Sequence, residues 1–425
     1  MIELKNNQRV PLEIGGSCTV KRELGRGGQG IVYLVDLNGK DMALKWYTSI
    51  PEDKFYKNLK KNIETKAPSD AFIWPKYLTK MIDGQFGYVM KLRPQGYYEF
   101  GDFLLAKQKF ASFYAMLNAA MKICDGFKNL HLSGYSYQDL NDGNFFIRPT
   151  DGDVLICDND NVMPQGQQSG IKGKMRYMAP EVVTGGMPDK YSDRFSLSVI
   201  LFLLFFNNHP LEGAKVVERP CLTEKLEKEF YGTKPEFIFS PEGGNRPVKG
   251  IHTNVLRRWK VFPELLRKTF SEQFSNEKIT NPQSRILETE WQKIIAMLRD
   301  ETVVCSHCKE STFVDAATQY CCVNCGFKID ISRQIKLGKR NVLLVPKSRI
   351  YLDKDNTPDG YIDVSAKDTS VYTLTNLGAE PWIVETASGN VRQLANKETM
   401  PIKAGMKISF GVRCDTDKGE IIINQ

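Results

Sequence analysis

Several features that would fix the class of this 425-residue sequence at once are missing from it. No long hydrophobic run occurs. The longest apolar stretch, Val199–Phe206, falls far short of the ~20 residues a membrane span needs, so a buried helix is expected there and no membrane association. The N-terminal MIELKNNQRV has no apolar h-region, so no secretory signal and a cytoplasmic location are expected. There is no internal repeat and no long low-complexity tract, which argues against solenoids and disordered arrays. Charge of one sign does not dominate: 58 Lys and Arg against 50 Asp and Glu give a formal +8. That balance suits a solvated mixed surface better than a nucleic-acid interface. A disulfide framework is also missing. Of ten cysteines, five crowd into one short segment and five are scattered, a pattern that fits buried thiols plus one metal cluster in a reducing compartment.

What is present points to a soluble, multi-domain chain. The length exceeds one ordinary core, and 41% hydrophobic with 25% charged residues is typical of a globular protein. Three regions differ in composition. Residues 14–299 mix strand and helix patterns, 301–332 carry the cysteine cluster, and 340–425 alternate short β-rich runs (VYTLTNL, PWIVETASGN, MKISFGV, GEIIIN) with turn residues. Arg299–Val303 and the basic stretch Lys336–Arg340 are the expected linkers. Within the first region, strands over Val20–Leu24, Ile31–Asp36, Asp41–Trp46 and Gly87–Leu92 surround a helical stretch from about Pro51 to Lys66. Glu52 and Asp53 stand in that helix's first turn, where the macrodipole favours anions. Beyond residue 100 the pattern is mostly helical. A small β-rich lobe (14–92) followed by a larger helical lobe (93–299) implies a cleft between them.

Gly25-x-Gly27-x-x-Gly30 alone says little, because glycines serve any tight turn as well as a close approach to phosphate. Strands on both sides of it argue against a dinucleotide fold, which needs a helix after the turn. The signal strengthens downstream. Val32 follows, then Met42-Ala43-Leu44-Lys45, then YSYQDLNDGN with Asp139 and Asn144 five residues apart. Asp158 ends the apolar strand Val154–Cys157, and Ala179-Pro180-Glu181, Asp193 and Arg285 complete the series. In this order and at these spacings, the sequence resembles the eukaryotic-like Ser/Thr protein kinases of bacterial type.

The resemblance implies an α+β, bilobal protein-kinase fold and assigns roles. Lys45 would pair with the α/β-phosphates of ATP, held by a helix carboxylate, for which Glu64 is the expected residue. Gly25, Gly27 and Gly30 would cradle phosphates, and Val32, Ala43 and Phe146 would sandwich the adenine. Asn144 and Asp158 would hold Mg²⁺ (or Mn²⁺), with Asp160 as a fallback ligand. Asp139 would take or orient the substrate hydroxyl proton. Glu181 with Arg285, and Asp193 with the catalytic-loop backbone, would be structural. The Ala-Pro-Glu triplet and Asp193 favour protein over small-molecule substrates. Ser/Thr over Tyr is a family-level preference.

The departures matter as much. Tyr137, Gln138 and Asn141 replace the family's His, Arg and Lys, and Asp158-Asn159-Asp160 replaces D-F-G. Gln138 cannot bind an activation-loop phosphate as Arg does. The loop from Asp158 to Glu181 offers only Ser169 besides Tyr177 as a hydroxyl, so activation by loop phosphorylation is not expected. Lys174, where the family usually has Thr, is expected to supply the cation lost at Asn141.

Cys305-x-x-Cys308 and Cys322-x-x-Cys325 have the spacing of a zinc ribbon, a closed tetrahedral Cys₄ site of structural type. Cys321 gives the wrong inner spacing, and His307 is expected to face outward. The segment lacks the interleaved aromatics that stacking on single-stranded nucleic acid requires, so a protein-recognition role is expected. The last region shares turn signals with the phosphopeptide-binding forkhead-associated β-sandwiches, at Asp359-Gly360, Ser388-Gly389-Asn390 and Asp417-Lys418-Gly419. Its Gly-Arg and Ser-x-x-His elements are not evident. The layout is similar to bacterial Ser/Thr kinases encoded with a von Willebrand A-type protein and a PP2C-type phosphatase, which by analogy are expected partners. Two other readings stand beside an active protein kinase. One is a pseudokinase scaffold that binds nucleotide and presents its C-terminal modules. The other is a small-molecule phosphotransferase.

Overall fold

The computed structural model describes residues 3–49, 53–168, 173–219, 221–314, 320–338, 340–352, 356–411 and 419–423. Pro51, Glu52, Ser169, Lys339, Cys414 and the Asp417-Lys418 part of the last turn signal lie outside them. The first lobe is a six-stranded antiparallel sheet built from β1 (Arg9–Pro11), β2 (Ser17–Arg26), β3 (Gly30–Leu37), β4 (Lys40–Tyr47), β5 (Pro75–Leu78) and β6 (Gly87–Lys91). Their order is β1-β2-β3-β4-β6-β5. Period-two burial along β3 seats Ile31, Tyr33 and Val35 in one apolar cluster on the sheet. On the other side, Ala43, Tyr47, Tyr88 and Met90 pack with Phe55 and Leu59 of helix α1 (Asp53–Glu64). Gly30 is fixed by close approach: a Cβ there would overlap the Trp46 carbonyl oxygen across the β3–β4 ladder.

The second lobe is helical. The 20-residue helix Phe113–Leu132 and the helix Lys190–Phe206 run through one large core. The apolar run Val199–Phe206 is the C-terminal half of the latter and is buried on every side, as its lack of a polar face requires. No helix among the described residues is long and apolar enough to cross a membrane. The Lys190–Phe206 helix begins well before the apolar run, because Asp189 caps it by accepting from the Tyr191 and Ser192 amides. Asp193 therefore lies one turn inside the helix.

Strands Thr302–Val304 and Ser311–Phe313 form a hairpin in the cysteine region. Beyond it lie two antiparallel sheets, one of six strands and one of four, closing over Ile335, Leu374, Trp382, Val384, Ile408 and Ile421. Arg299–Val303, expected as a linker, is instead buried. Helix Glu288–Asp300 leads directly into the hairpin strand, and Arg299, Asp300 and Thr302 are all inaccessible. The physical reason is a polar seam between helical lobe and C-terminal sheets. Arg299 donates to Asn118 and Asn356 (2.7 Å each) and covers the Tyr351 ring at 4.6 Å, while Arg340 grips Asp300 at 2.6 and 2.7 Å. Of the second expected linker, Lys336–Arg340, Lys336 and Leu337 end one of two paired strands, Arg333–Leu337, and Arg340 opens the other, Arg340–Leu343.

Candidate active site

Loops and three strands, β3, β4 and Phe145–Ile147, carry the predicted residues of the cleft. Lys45 sits in β4, buried, paired across the sheet with Val32 of β3. Its ammonium donates to Asp160 (2.8 Å), Asp158 (3.0 Å) and the Gln29 amide oxygen (3.1 Å). Burial opposes its charge, yet the two carboxylates outweigh that cost and hold its pKa above the ordinary lysine value. Glu64, expected as its partner, is not there. It ends α1 exposed, because the helix turns Phe55, Asn58, Leu59 and Asn62 inward instead.

The catalytic loop is held from several sides. Asp193 accepts from the Tyr137 amide (2.6 Å) and the Gln138 amide (3.1 Å), the structural role expected of it. His131 bridges Asp193 (3.1 Å) and Glu288 (2.8 Å). Burial disfavours its charge, but those two bonds prevail and raise its pKa to about 9. Tyr137, standing for the family His, is buried and donates to the Cys157 carbonyl, tying the catalytic loop to the strand that carries Asp158. Asn144 donates to the Tyr137 hydroxyl (3.1 Å) and to the Asp139 carbonyl (2.7 Å). Its Nδ2 is thus committed, and no hydrogen bond among the described residues takes its Oδ1, which leaves that oxygen for a metal. Asp158 adopts a left-handed backbone (φ 54°) and keeps its carboxylate 46% exposed to the cleft. One amide oxygen and one exposed carboxylate form a hard-donor set suited to Mg²⁺.

Asp139 lies between these groups. Burial first, and the neighbouring Asp158 second, raise its pKa to about 6. Asn141 Nδ2 (3.3 Å) and, more loosely, Asn161 Nδ2 (3.5 Å) approach its two carboxylate oxygens. Asn161 was not anticipated from sequence, where nothing marks it. Lys174 reaches the same loop: its ammonium donates to Asn141 Oδ1 (3.2 Å) and stands 3.9 Å from Asp142. Gly173 before it packs so close that a Cβ would meet Asp139 Oδ1 at 3.2 Å. Gln138 donates to Ser136 Oγ (2.9 Å) and the Gln167 carbonyl (2.7 Å), neutral bonds where the family places an arginine.

Around the adenine position, Ala43 is buried, Val32 half-buried, and the Phe146 ring lies 4.0 Å from the Arg93 guanidinium. Gly25, Gly27 and Gly28 have open space where a side chain would be, whereas Gly30 serves the β3–β4 contact. Arg285 forks onto Glu181 at 2.7 and 2.8 Å, as expected.

The four cysteine sulfurs of 305, 308, 322 and 325 lie within 4.8 Å of one another. Cys305 and Cys325 are 3.7 Å apart, and Cys308 and Cys322 are 3.6 Å apart. Zn–S bonds of about 2.3 Å in a tetrahedron would put sulfurs about 3.8 Å apart, so the set fits zinc. Cys321 is exposed and outside the cluster, and His307 stacks on Phe327.

Comparison with known proteins agrees with this geometry. Residues 18–228 match the protein kinase domain family. The chain is 28% identical over 205 residues to mouse "Protein kinase C delta type", covering 46% of this chain and 30% of that protein. Against the rat protein of that name the figures are 27% over 296 residues, 61% and 43%. It is 27% identical over 212 residues to "Serine/threonine-protein kinase Pkn1" of Myxococcus xanthus, covering 46% of this chain and 29% of that protein. The chain thus spans less than half the length of these relatives.

Proposed function

We propose that the chain, whose residues 18–228 form a kinase domain of the serine/threonine type, transfers the γ-phosphoryl group of Mg·ATP to Ser/Thr hydroxyls of proteins without needing a phosphorylated activation loop. The observation that carries this reading is the junction of Asp139 and Asn144. One side-chain amide ties the base's backbone while leaving its own oxygen free, beside an exposed Asp158.

Phosphoryl transfer asks the protein mainly for positioning and charge neutralisation. Lys45 would exchange its bond to Gln29 for phosphate oxygens, under a loop whose glycines leave room. Mg²⁺ on Asn144 and Asp158 would supply the remaining neutralising charge. Asp139, with Asn141 and Asn161 orienting its carboxylate, would accept the hydroxyl proton. Gln138, tied by neutral bonds, supports independence from loop phosphorylation. Lys174 would approach the transferred group from the side opposite the usual lysine. A Lys174→Ala chain is expected to lose about 10–100-fold in kcat with little change in the KM for ATP. Unchanged turnover would remove Lys174 from the machinery.

The Cys₄ cluster is read as a zinc ribbon, and the two C-terminal sheets as a sandwich that recognises a protein, forkhead-associated-like in its turns. Partners of the von Willebrand A and PP2C types rest on analogy of layout alone. The direct test is incubation with γ-labelled ATP, Mg²⁺ and a generic protein substrate. Label on Ser or Thr that disappears with EDTA is expected. Nucleotide binding without transfer would establish the scaffold reading, and metabolite-stimulated turnover without protein labelling the small-molecule one.

A further inference from the structure

In the family this chain resembles, the catalytic lysine is held by a glutamate on the helix after its strand, so helix position controls the site. Here the helix presents neither a carboxylate nor Glu64 to Lys45. We infer that Asp160 is the positioning counter-ion of Lys45, supplied by the metal-binding loop itself, so that orientation of the lysine no longer depends on a helix carboxylate. The inference rests on the kinase reading above and concerns how that site is held ready.

Three observations converge. Asp160 Oδ2 accepts from both Lys45 (2.8 Å) and the Tyr47 hydroxyl (2.5 Å), two residues two positions apart on β4. The Asp160 side chain is 0% exposed, against 46% for Asp158 on the same loop. Asp158 therefore faces the cleft where a metal and phosphates would lie, while Asp160 faces the strand. That division corrects the expectation of Asp160 as a fallback metal ligand. Thirdly, α1 contributes amides where a glutamate would be: Asn58 and Asn62 both donate to the Val162 carbonyl at 2.9 Å. The helix thus grips the backbone of the loop, and the loop grips the lysine. Glycine at position 160, as the family has it, would leave the helix's grip on Val162 in place but could not hold the lysine.

The experiment compares single-turnover transfer and ADP affinity in native chain, Glu64→Gln, Asp160→Asn, Lys45→Met and Lys45→Met/Asp160→Asn. Expected is a loss of about 10²-fold in kcat for Asp160→Asn, as for misplacement of a catalytic group. Glu64→Gln should stay within about twofold of native, and the double variant should be no worse than Lys45→Met, because Asp160 acts only through the lysine. The Mg²⁺ concentration at half-activation should not move. Three results would overturn the inference: an equal Asp160→Asn loss in the Lys45→Met background, a shifted Mg²⁺ midpoint, or a Glu64→Gln loss matching Lys45→Met. The exposed Glu64 variant keeps the test decisive even if Asp160→Asn folds poorly, and the double variant removes both buried charges together, which proteins tolerate better than removing one. A native chain with no transfer would sink the kinase reading instead, and the same comparisons of ADP affinity would still decide the counter-ion role.

Discussion

An Asp139→Asn chain is expected to transfer phosphate about 10²–10⁴-fold more slowly than the native chain while binding nucleotide with unchanged affinity. The substitution is nearly isosteric, and the loop does not depend on the carboxylate for its shape. The Asp139 carbonyl is held by Asn144 (2.7 Å) and Asn141 (3.2 Å), and the preceding amides by Asp193. Lys45 and the glycine turn, which would meet the nucleotide, lie across the cleft. What the variant loses is the capacity to accept a proton. Native Asp139 is suited to that step: burial and the nearby Asp158 lift it to about 6, which makes it a better base than a free aspartate yet leaves it ionised at neutral pH. Single-turnover rates with saturating Mg·ATP, beside calorimetric ADP affinities, separate the two effects. An unchanged rate would mean that the phosphate travels by another route. A parallel fall in affinity would mean that Asp139 shapes the pocket rather than the chemistry.

Much of this site was legible from sequence because phosphate chemistry fixes residue types at fixed spacings. Lys45, Asp139, Asn144 and Asp158 sit on one strand and two loops, and the order of strands around the glycine turn was readable from alternation. The Glu181–Arg285 fork and the Asp193 anchor are structural contacts that the family resemblance implied. Glu64 failed because a helix's inward face depends on its phase against the sheet. With Phe55 and Leu59 packed on Tyr47 and Phe86, Asn58 and Asn62 turn inward and Glu64 reaches solvent. That Asp160 faces Lys45 and Tyr47 was not legible, because sequence cannot tell which way a carboxylate two residues beyond a left-handed Asp158 will point. Asn161 carried no signal at all, its amide reaching Asp139 only through the same turn. The linker expectation at Arg299–Val303 failed because polar residues normally mark exposed chain. Here Arg299 and Asp300 are polar because they pair with Asn118, Asn356 and Arg340 across a buried seam.

The second large effect concerns the cysteine cluster. Native protein purified without added metal is expected to carry close to one zinc per chain, and Cys305→Ser or Cys322→Ser protein less than a tenth of that. Both sulfurs are buried, and the backbone already bends for them: Gly326 takes a left-handed φ of 75°, and its amide bonds the Cys322 carbonyl at 2.9 Å. The Glu310 backbone amide favours the Cys308 thiolate, while its neighbours in the cluster push the Cys325 thiol up. Structural zinc sites hold about 10–16 kcal/mol of apparent binding free energy in isolated fingers. Here part of the segment's order comes from elsewhere. Val303, Val314, Ile329, Leu343 and Val345 form a small core around the ligands, and the Phe313 ring packs tilted against Phe113 (4.4 Å) and Phe262 (4.9 Å) of the helical lobe. Loss of metal should therefore expose the amides of 305–308 and 322–326 to hydrogen exchange far more than those of the Ser311–Phe313 strand, and leave ADP affinity unchanged. Metal content below about 0.5 zinc per native chain would refute a Cys₄ site. Equal loosening throughout the kinase lobes would show instead that the metal holds the whole chain together, through the Phe313 contact and the Arg299 seam beside it.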